Sequence, residues 1–464
     1  MPPPRLSEKI DSIQGVRIAG HQSTWNINLD YSAGSQGTVK SITPHESSRD
    51  VIQAPLALPA LTHPHIHLDK AFVHNSNKYS HLLPRTGTFQ EALSSTTKAK
   101  ENFTYDDLLK RGEWLLADSV SSGVTAMRAF VEVDHTVDRT CLDAAVTLKS
   151  QWSEVCHIQI ACFAQDPIFS GEHGAKNCDL IASALRDYPQ IEVLGTTPYV
   201  ESSVEASKSN IEWAIEHALK HDLHVDFHLD YNLDPGKEAL IWHVLQTLQQ
   251  AGWTRRTTRK RVMLGHCTRL TLFTDEEWQK IASIIHDNDL PVSFVGLPTS
   301  DMYMAAPPGQ ENPQQQPRGT LRVPDLIRKY DLDAVIGVNN VGNAFTPWGS
   351  ADPLFLACVG VGVYQAGSQD DAGLLYECVS NRARAAIGLS TDTGLSVQAG
   401  ACPDLVIFHN RDDTGCGISR PRASAAEVVW DPPARTSRSV ITNGRVQVRP
   451  AGLSDDLTYK WTSG

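Results

Sequence analysis

The stretch LTHPHIHLDKAF, residues 61–72, carries histidine at positions 63, 65 and 67. Residues two apart in a β-strand point to the same face. Read as a strand, this segment is expected to turn His63, His65 and His67 to one side and Pro64, Ile66 and Leu68 to the other. Imidazole is the commonest metal ligand among side chains, and two imidazoles on one strand face can reach a single ion. A His-x-His pair also recurs by chance, so its meaning depends on what the rest of the chain builds around it.

Short apolar runs recur along the chain. After the first, which ends in THPHIH, come GVTAMRAFVEV (123–133), HIQIACFAQ (157–165), IEVLGTTPYV (191–200), HVDFHLD (224–230), VMLGHC (262–267), PVSFVGLP (291–298) and DAVIGVNN (333–340). Segments with helical spacing lie between them. Leu108, Leu109, Trp114, Leu115 and Leu116 line one, Ile211, Ala214, Ile215 and Ala218 another, and Leu240, Val244, Leu245 and Leu248 a third. Strands alternating with helices predict a parallel sheet. Eight such units predict a (β/α)8 TIM barrel, with its chemistry at the C-terminal ends of the strands. The polar residues fall there: His65 and His67 on the first strand, Gln165 on the third, His228 on the fifth, His266 on the sixth and Asn339 on the eighth. One such histidine is unremarkable in a core; four at the strand ends of one barrel point to a shared metal site.

Both ends of the chain read differently. Before about Pro55, VRIAG and TVKSITP alternate over short runs, and after about Leu389 so do SVQAGACPDLVIFHN, AAEVVWD and SRSVITNGRVQV, with TNGR as a hairpin signal. The expected organisation is an accessory β-sandwich domain built from residues 1–58 and 390–464 around a barrel over 59–389. A segment rich in Pro, Gln and Gly, residues 305–319, follows the seventh strand and is read equally as a lid or an inert insertion. With 41% hydrophobic and 20% charged residues the chain can bury a large core, and a net charge of −12 argues against nucleic acid or an anionic membrane as partner. MPPPRLSEKIDS contains no apolar signal core, no run reaches a membrane span, and the nine cysteines are scattered. The expectation is a cytoplasmic protein with reduced thiols, a small-molecule substrate, no nucleic-acid or membrane partner, and room for a homo-oligomer.

With these segments assembled, the chain resembles the amidohydrolase superfamily of metal-dependent hydrolases, closest to its cytosine deaminase-like branch. PHIHLDKAF resembles the branch's first-strand motif, FAQDPI its glutamine segment, VDFHLD and LGHC its fifth- and sixth-strand histidine motifs, GVNN with PWGSADPL its eighth-strand region, and LSVQAGACPDLVIF its C-terminal β-domain. The resemblance implies that His65, His67 and His228 ligate one divalent metal ion, zinc or iron. It implies that His266 orients the attacking water or stabilises the oxyanion, and that Gln165 hydrogen-bonds a ring amide. Three neutral imidazoles leave a position open on an ion, which can then activate water near neutral pH.

Two positions depart from the family pattern. Asn339 stands where the branch has a carboxylate ligand and proton shuttle, and Tyr231 where it has the glutamate that protonates the ring. Asp69 and Asp230 each follow a ligand histidine by two, so either is a candidate for the missing carboxylate or for a hydrogen bond that orients a ligand. The function expected is hydrolysis of a C–N bond in a small cyclic amide or amidine by metal-activated water. The alternative is a degenerate relative that keeps the metal but catalyses a non-hydrolytic step or only binds a ligand. No G-x-S-x-G elbow supports a serine hydrolase.

Overall fold

The computed structural model describes residues 2–32, 37–46, 53–306, 318–410, 415–448 and 459–461. The chain begins with β1 (Arg5–Ile18), β2 (Trp25–Asp30), β3 (Thr38–Pro44) and β4 (Leu56–Pro59). Only Ala60 separates β4 from β5 (Leu61–His67), the first of the parallel strands. β6 (Val124–Glu132), β7 (His157–Ala164), β8 (Ile191–Thr196), β9 (His224–Leu229), β10 (Val262–His266), β11 (Val292–Gly296) and β12 (Ala334–Ile336) follow. The chain then returns to the first sheet with β13 (Leu405–Phe408), β14 (Arg438–Thr442), β15 (Arg445–Val448) and β16 (Tyr459–Trp461).

Strands β5 to β12 pair side by side in chain order, every neighbour parallel. The ring closes just past β12: the Asn339 N–H donates to the His65 carbonyl at 3.0 Å, and the His67 N–H donates to the Asn339 carbonyl at 2.8 Å. The expected eight-stranded barrel is therefore present, and its seam is formed by three of the candidate site residues. Strands β5, β6 and β9 are buried along their whole length, as strands covered by helices outside and packed side chains inside must be. The helix Tyr105–Ser122 buries Leu108, Leu115 and Leu116 and ends at Gly123, whose φ is 116°. A Cβ there would lie 2.5 Å from Val406 Cγ2, so glycine lets the helix turn directly into β6 beneath the accessory sheet.

The accessory sheet takes strands from both chain ends. β4 pairs β1 in parallel and β13 antiparallel; β14 and β15 continue back to β1. β1 is long and bulged, and its second half also pairs β2 and β16. Ile10, Ile13, Ile27, Leu405, Ile441 and Val446 fill the core between them. The TNGR hairpin forms as read, with Asn443 and Gly444 at φ 51° and 72° between β14 and β15.

The alternation expected over His63, His65 and His67 is broken. The register of β5 against β6 shifts between His63 and Ile66. That bulge turns His63 away from the barrel interior, where its Nε2 meets Ser119 Oγ at 3.1 Å on the helix Tyr105–Ser122. Of the segment 305–319, residues 307–317 lie outside the described residues. Among the described residues, no helix is long and apolar enough to cross a membrane.

Candidate active site

The C-terminal mouth of the barrel gathers the predicted residues. His67, Gln165, His228, Tyr231, His266 and Asn339 line one cleft together with Lys70, Tyr199, Asn340 and Phe345. His65 lies just beneath, its ring 4.6 Å from that of His228. Gly265 and Gly337 make room for it: Cβ atoms there would sit 3.3 Å from His65 Cε1 and 3.2 Å from His65 Cβ.

Three imidazole nitrogens converge. His228 Nε2 is 3.2 Å from His65 Nε2 and 3.1 Å from His67 Nε2. Nitrogens about 2.0–2.1 Å from one tetrahedral ion lie about 3.3 Å apart, close to these separations. Burial lowers the pKa of all three rings, so they are held neutral, the form that ligates. The Nδ1 atoms of His67 and His228 are buried without hydrogen-bond partners. One ring N–H can bond one neighbouring nitrogen but leaves the third without a donor of its own, whereas a divalent cation among them would take all three lone pairs. The set fits a metal on geometry, protonation and donor chemistry. Asn339 Oδ1, also buried and unbonded, is a neutral oxygen donor beside it, while Asn339 Nδ2 donates to Ser300 Oγ at 2.8 Å.

His266 stands 5.2 Å from His228, ring to ring, and stacks on Tyr231 at 3.8 Å. Its Nδ1 meets Asp301 Oδ1 at 2.8 Å. Asp301 is completely buried, and its other oxygen accepts the Leu297 N–H at 3.1 Å and the Thr320 hydroxyl at 2.7 Å. A carboxylate held this way accepts the Nδ1 proton of a neutral imidazole and leaves Nε2 as an acceptor. His266 and Asn339 both have φ 63°, in the left-handed region that side chains other than glycine rarely occupy. Strain of this kind collects at functional sites; here it lies at two of the positions that aim polar groups into the mouth.

The two candidate carboxylates are corrected. Asp230 does not enter the site. It leaves the strand conformation at φ 49°, which breaks the alternation that would have placed it beside His228. Its oxygens accept the N–H groups of Leu240 and Ile241, at 2.9 and 3.2 Å, where the helix Ile241–Gln250 begins. Burial pushes its pKa up to about 6. Asp69 accepts the Glu132 N–H at 2.7 Å and orients no ligand histidine. The carboxylates beside the histidines are instead Asp226, whose Oδ1 lies 3.5 Å from His65 Nδ1 and whose Oδ2 pairs with the buried Arg128 at 3.0 Å, and Asp301.

Lys70 and Asp301 were missed by the sequence reading. Lys70 lies within the opening motif itself, three residues after His67, and its Nζ is 2.6 Å from Glu132 Oε1 and 3.0 Å from Gln165 Oε1. Glu132 also bonds Lys100 at 2.6 Å, and Lys100 reaches Asp134 at 2.5 Å and Asp166 at 3.1 Å. Burial alone would raise the Glu132 pKa, but the two ammonium groups hold it well below the usual carboxylate range. Asp134, His135 and Asp166 could together ligate an ion, yet Lys100 already supplies the cation between the two carboxylates.

The strand order and the accessory sheet built from both chain ends define a (β/α)8 barrel with an accessory β-domain, the fold that the resemblance implied. No family model matches the sequence. Among curated proteins, N-isopropylammelide isopropyl amidohydrolase of Pseudomonas sp. (strain ADP) is 26% identical over 166 residues, 35% of this chain and 38% of that protein. The chain therefore aligns with well under half the length of that relative. The crystal structure of 5-methylcytosine deaminase from Klebsiella pneumoniae, liganded with 5-fluorocytosine, superposes with a TM-score of 0.76 at 19% identity, covering 94% of this chain and 97% of that one. N-isopropylammelide isopropylaminohydrolase from Burkholderia multivorans gives a TM-score of 0.70 at 19% identity, covering 95% and 99%. The likeness extends over barrel and accessory domain alike and establishes the fold.

Proposed function

We propose that this protein is a metal-dependent hydrolase that cleaves a C–N bond of a small cyclic amide or amidine. The observation that carries the reading is the convergence of three neutral, buried imidazoles beside a histidine whose tautomer is fixed by a buried carboxylate. His65, His67 and His228 would hold the ion, with Asn339 Oδ1 as a neutral neighbour. A divalent ion there supplies a Lewis acid that polarises the substrate and eases the ionisation of water.

The remaining work falls to the chain. His266, with its Nδ1 proton committed to Asp301, offers Nε2 to take a proton from the attacking water and return it to the departing nitrogen. That assignment answers the absence of a carboxylate at position 339, because a base already stands across the mouth. Tyr231 packs flat against His266 and fixes its ring; burial raises its phenol pKa well above the ordinary value, so it donates no proton to a ring near neutral pH. The cleft in this structure is narrower than the ~300–1,000 Å³ typical of small-molecule sites. The relatives named for isopropylammelide and methylcytosine chemistry support a nitrogen heterocycle as substrate.

The test is ammonia or amine release from a panel of single-ring amides and amidines by protein reconstituted with zinc or ferrous iron. Metal-dependent turnover that is abolished by His266→Asn supports the reading; metal-loaded protein inert towards the whole panel opposes it. Cytosine is expected among the poor substrates, since Tyr231 supplies no ring acid; efficient cytosine turnover would show that another group donates that proton.

A further inference from the structure

We infer that Arg128 sets how tightly the three-histidine site holds its ion, acting through Asp226 and His65, and is a positioning residue for the proposed hydrolysis. The inference rests on the metal part of that reading and extends it to a side chain two steps removed from the ion.

Asp226 precedes His228 by two on β9 and shares its inward face one layer deeper. Arg128 enters the same layer from β6 and Gln159 from β7, and all three are buried. The Arg128 guanidinium donates from Nη1 to Asp226 Oδ2 at 3.0 Å, from Nε to Gln159 Oε1 at 2.7 Å and from Nη2 to the Ile387 carbonyl at 3.4 Å. Gln159 Nε2 donates to that same carbonyl at 3.2 Å. Ile387 closes the helix Asn381–Ala386 and packs with Met263 and Val335. The planar fork of arginine, bonded in three directions, is thereby fixed in one position.

That position decides where the Asp226 carboxylate points. With Oδ2 on Arg128, Oδ1 faces His65 Nδ1 at 3.5 Å. A carboxylate paired with arginine can only accept, so Nδ1 is the protonated nitrogen of His65 and Nε2 keeps its lone pair. Nε2 is the atom that meets His228 Nε2 at 3.2 Å, where the ion would lie. Without Arg128 the carboxylate would stand unbalanced in the barrel interior and free to turn from the ring. A buried arginine–aspartate pair gains little stability over apolar residues of similar volume, so stability alone does not explain one set against a ligand histidine. A carboxylate that accepts the outer N–H of a ligating histidine fixes its tautomer and raises its basicity, and losing such a partner weakens metal affinity typically about 10–100-fold.

The test measures zinc on the full-length protein and needs no substrate. Arg128→Met should weaken zinc binding about 10–100-fold in competition with a chelating dye, and should shrink the rise in melting temperature that zinc brings. A pair that only fills the barrel would lower the melting temperature of stripped and loaded protein alike and leave zinc affinity unchanged. Asp226→Asn should weaken zinc at least as much. Arg128 can only donate, so the asparagine oxygen stays on it and the NH2 group turns to His65, moving the ring proton to Nε2. Nitrogen-15 NMR of metal-stripped wild type reads the tautomer even where a variant folds poorly. The His65 ring, assigned through its contact with Phe130 at 4.2 Å, is expected to carry its proton on Nδ1. A proton on Nε2 in the wild type, or a zinc affinity of Arg128→Met within about threefold of wild type against the loss expected, overturns the inference. Wild type that binds zinc but turns over no ring substrate fails the hydrolase reading and leaves this one standing.

Discussion

Asp301→Asn is expected to invert the tautomer of His266 and remove its basic nitrogen from the cleft. Asp301 Oδ1 faces His266 Nδ1 at 2.8 Å, while Oδ2 accepts from Leu297 N–H at 3.1 Å and from the Thr320 hydroxyl at 2.7 Å. Asparagine must place its amide nitrogen on one of these sides. The Leu297 N–H can only donate, so the oxygen stays there and the NH2 group turns to His266. Nδ1 then becomes the acceptor, and the ring proton moves to Nε2, facing the cleft. A positioned general base contributes typically ~10²–10⁴-fold in rate, so kcat/KM should fall by that amount, about 3–5 kcal/mol of transition-state stabilisation. Stability should fall less, by about 1–2 kcal/mol, the difference between a charge-assisted and a neutral hydrogen bond. Nitrogen-15 NMR of histidine-labelled protein reads the tautomer directly, and elemental analysis checks that metal content is unchanged. Retention of the Nδ1 proton in the variant, or a kcat/KM within threefold of wild type at equal metal content, would refute the role given to this pair.

Three further outcomes are expected. The double change His65→Ala with His67→Ala should abolish stoichiometric zinc or iron by elemental analysis while retaining the barrel by circular dichroism; metal-free wild type after loading would sink the ligand assignment. Asn339→Asp puts a carboxylate where a neutral oxygen now faces the three imidazoles, so it should tighten zinc binding and raise turnover of simple ring amides; a variant with unchanged metal affinity would show that the side chain does not face the ion. His224 is a pH lever on stability: burial depresses its pKa to about 3, and its Nδ1 accepts the Arg261 N–H at 2.9 Å. The folded form therefore excludes a proton that the unfolded form takes up below about 6.5, and stability is lost as pH falls through that window, by about 1.4 kcal/mol per pH unit. His224→Asn keeps an acceptor without the titration, so denaturant midpoints measured from pH 7 to 4 should fall less steeply; an identical slope would rule out this account.

Periodicity along the chain determined the barrel, because parallel strands buried on both faces must be apolar runs and the helices between them must repeat at 3.6 residues. It also placed His65, His67, His228, His266, Gln165 and Asn339 at one mouth, since strand ends in a parallel barrel share a side. What alternation alone got wrong was local: the bulge that turns His63 out to Ser119 and the positive φ that turns Asp230 onto the helix Ile241–Gln250. Both are local departures from a period of two, and the sign of the first is Pro64, which cannot donate to the ladder and sits inside the shifted stretch. Only the tertiary structure decided which carboxylates serve the site. Asp226 and Asp301 are separated from their histidines by 161 and 35 positions, and Glu132 meets Lys70 from just past the end of β5 and Lys100 from the end of the helix Phe89–Lys100. Such pairs form because buried charges must find partners wherever the fold brings them, and that distance in sequence carries no signal until the barrel has closed.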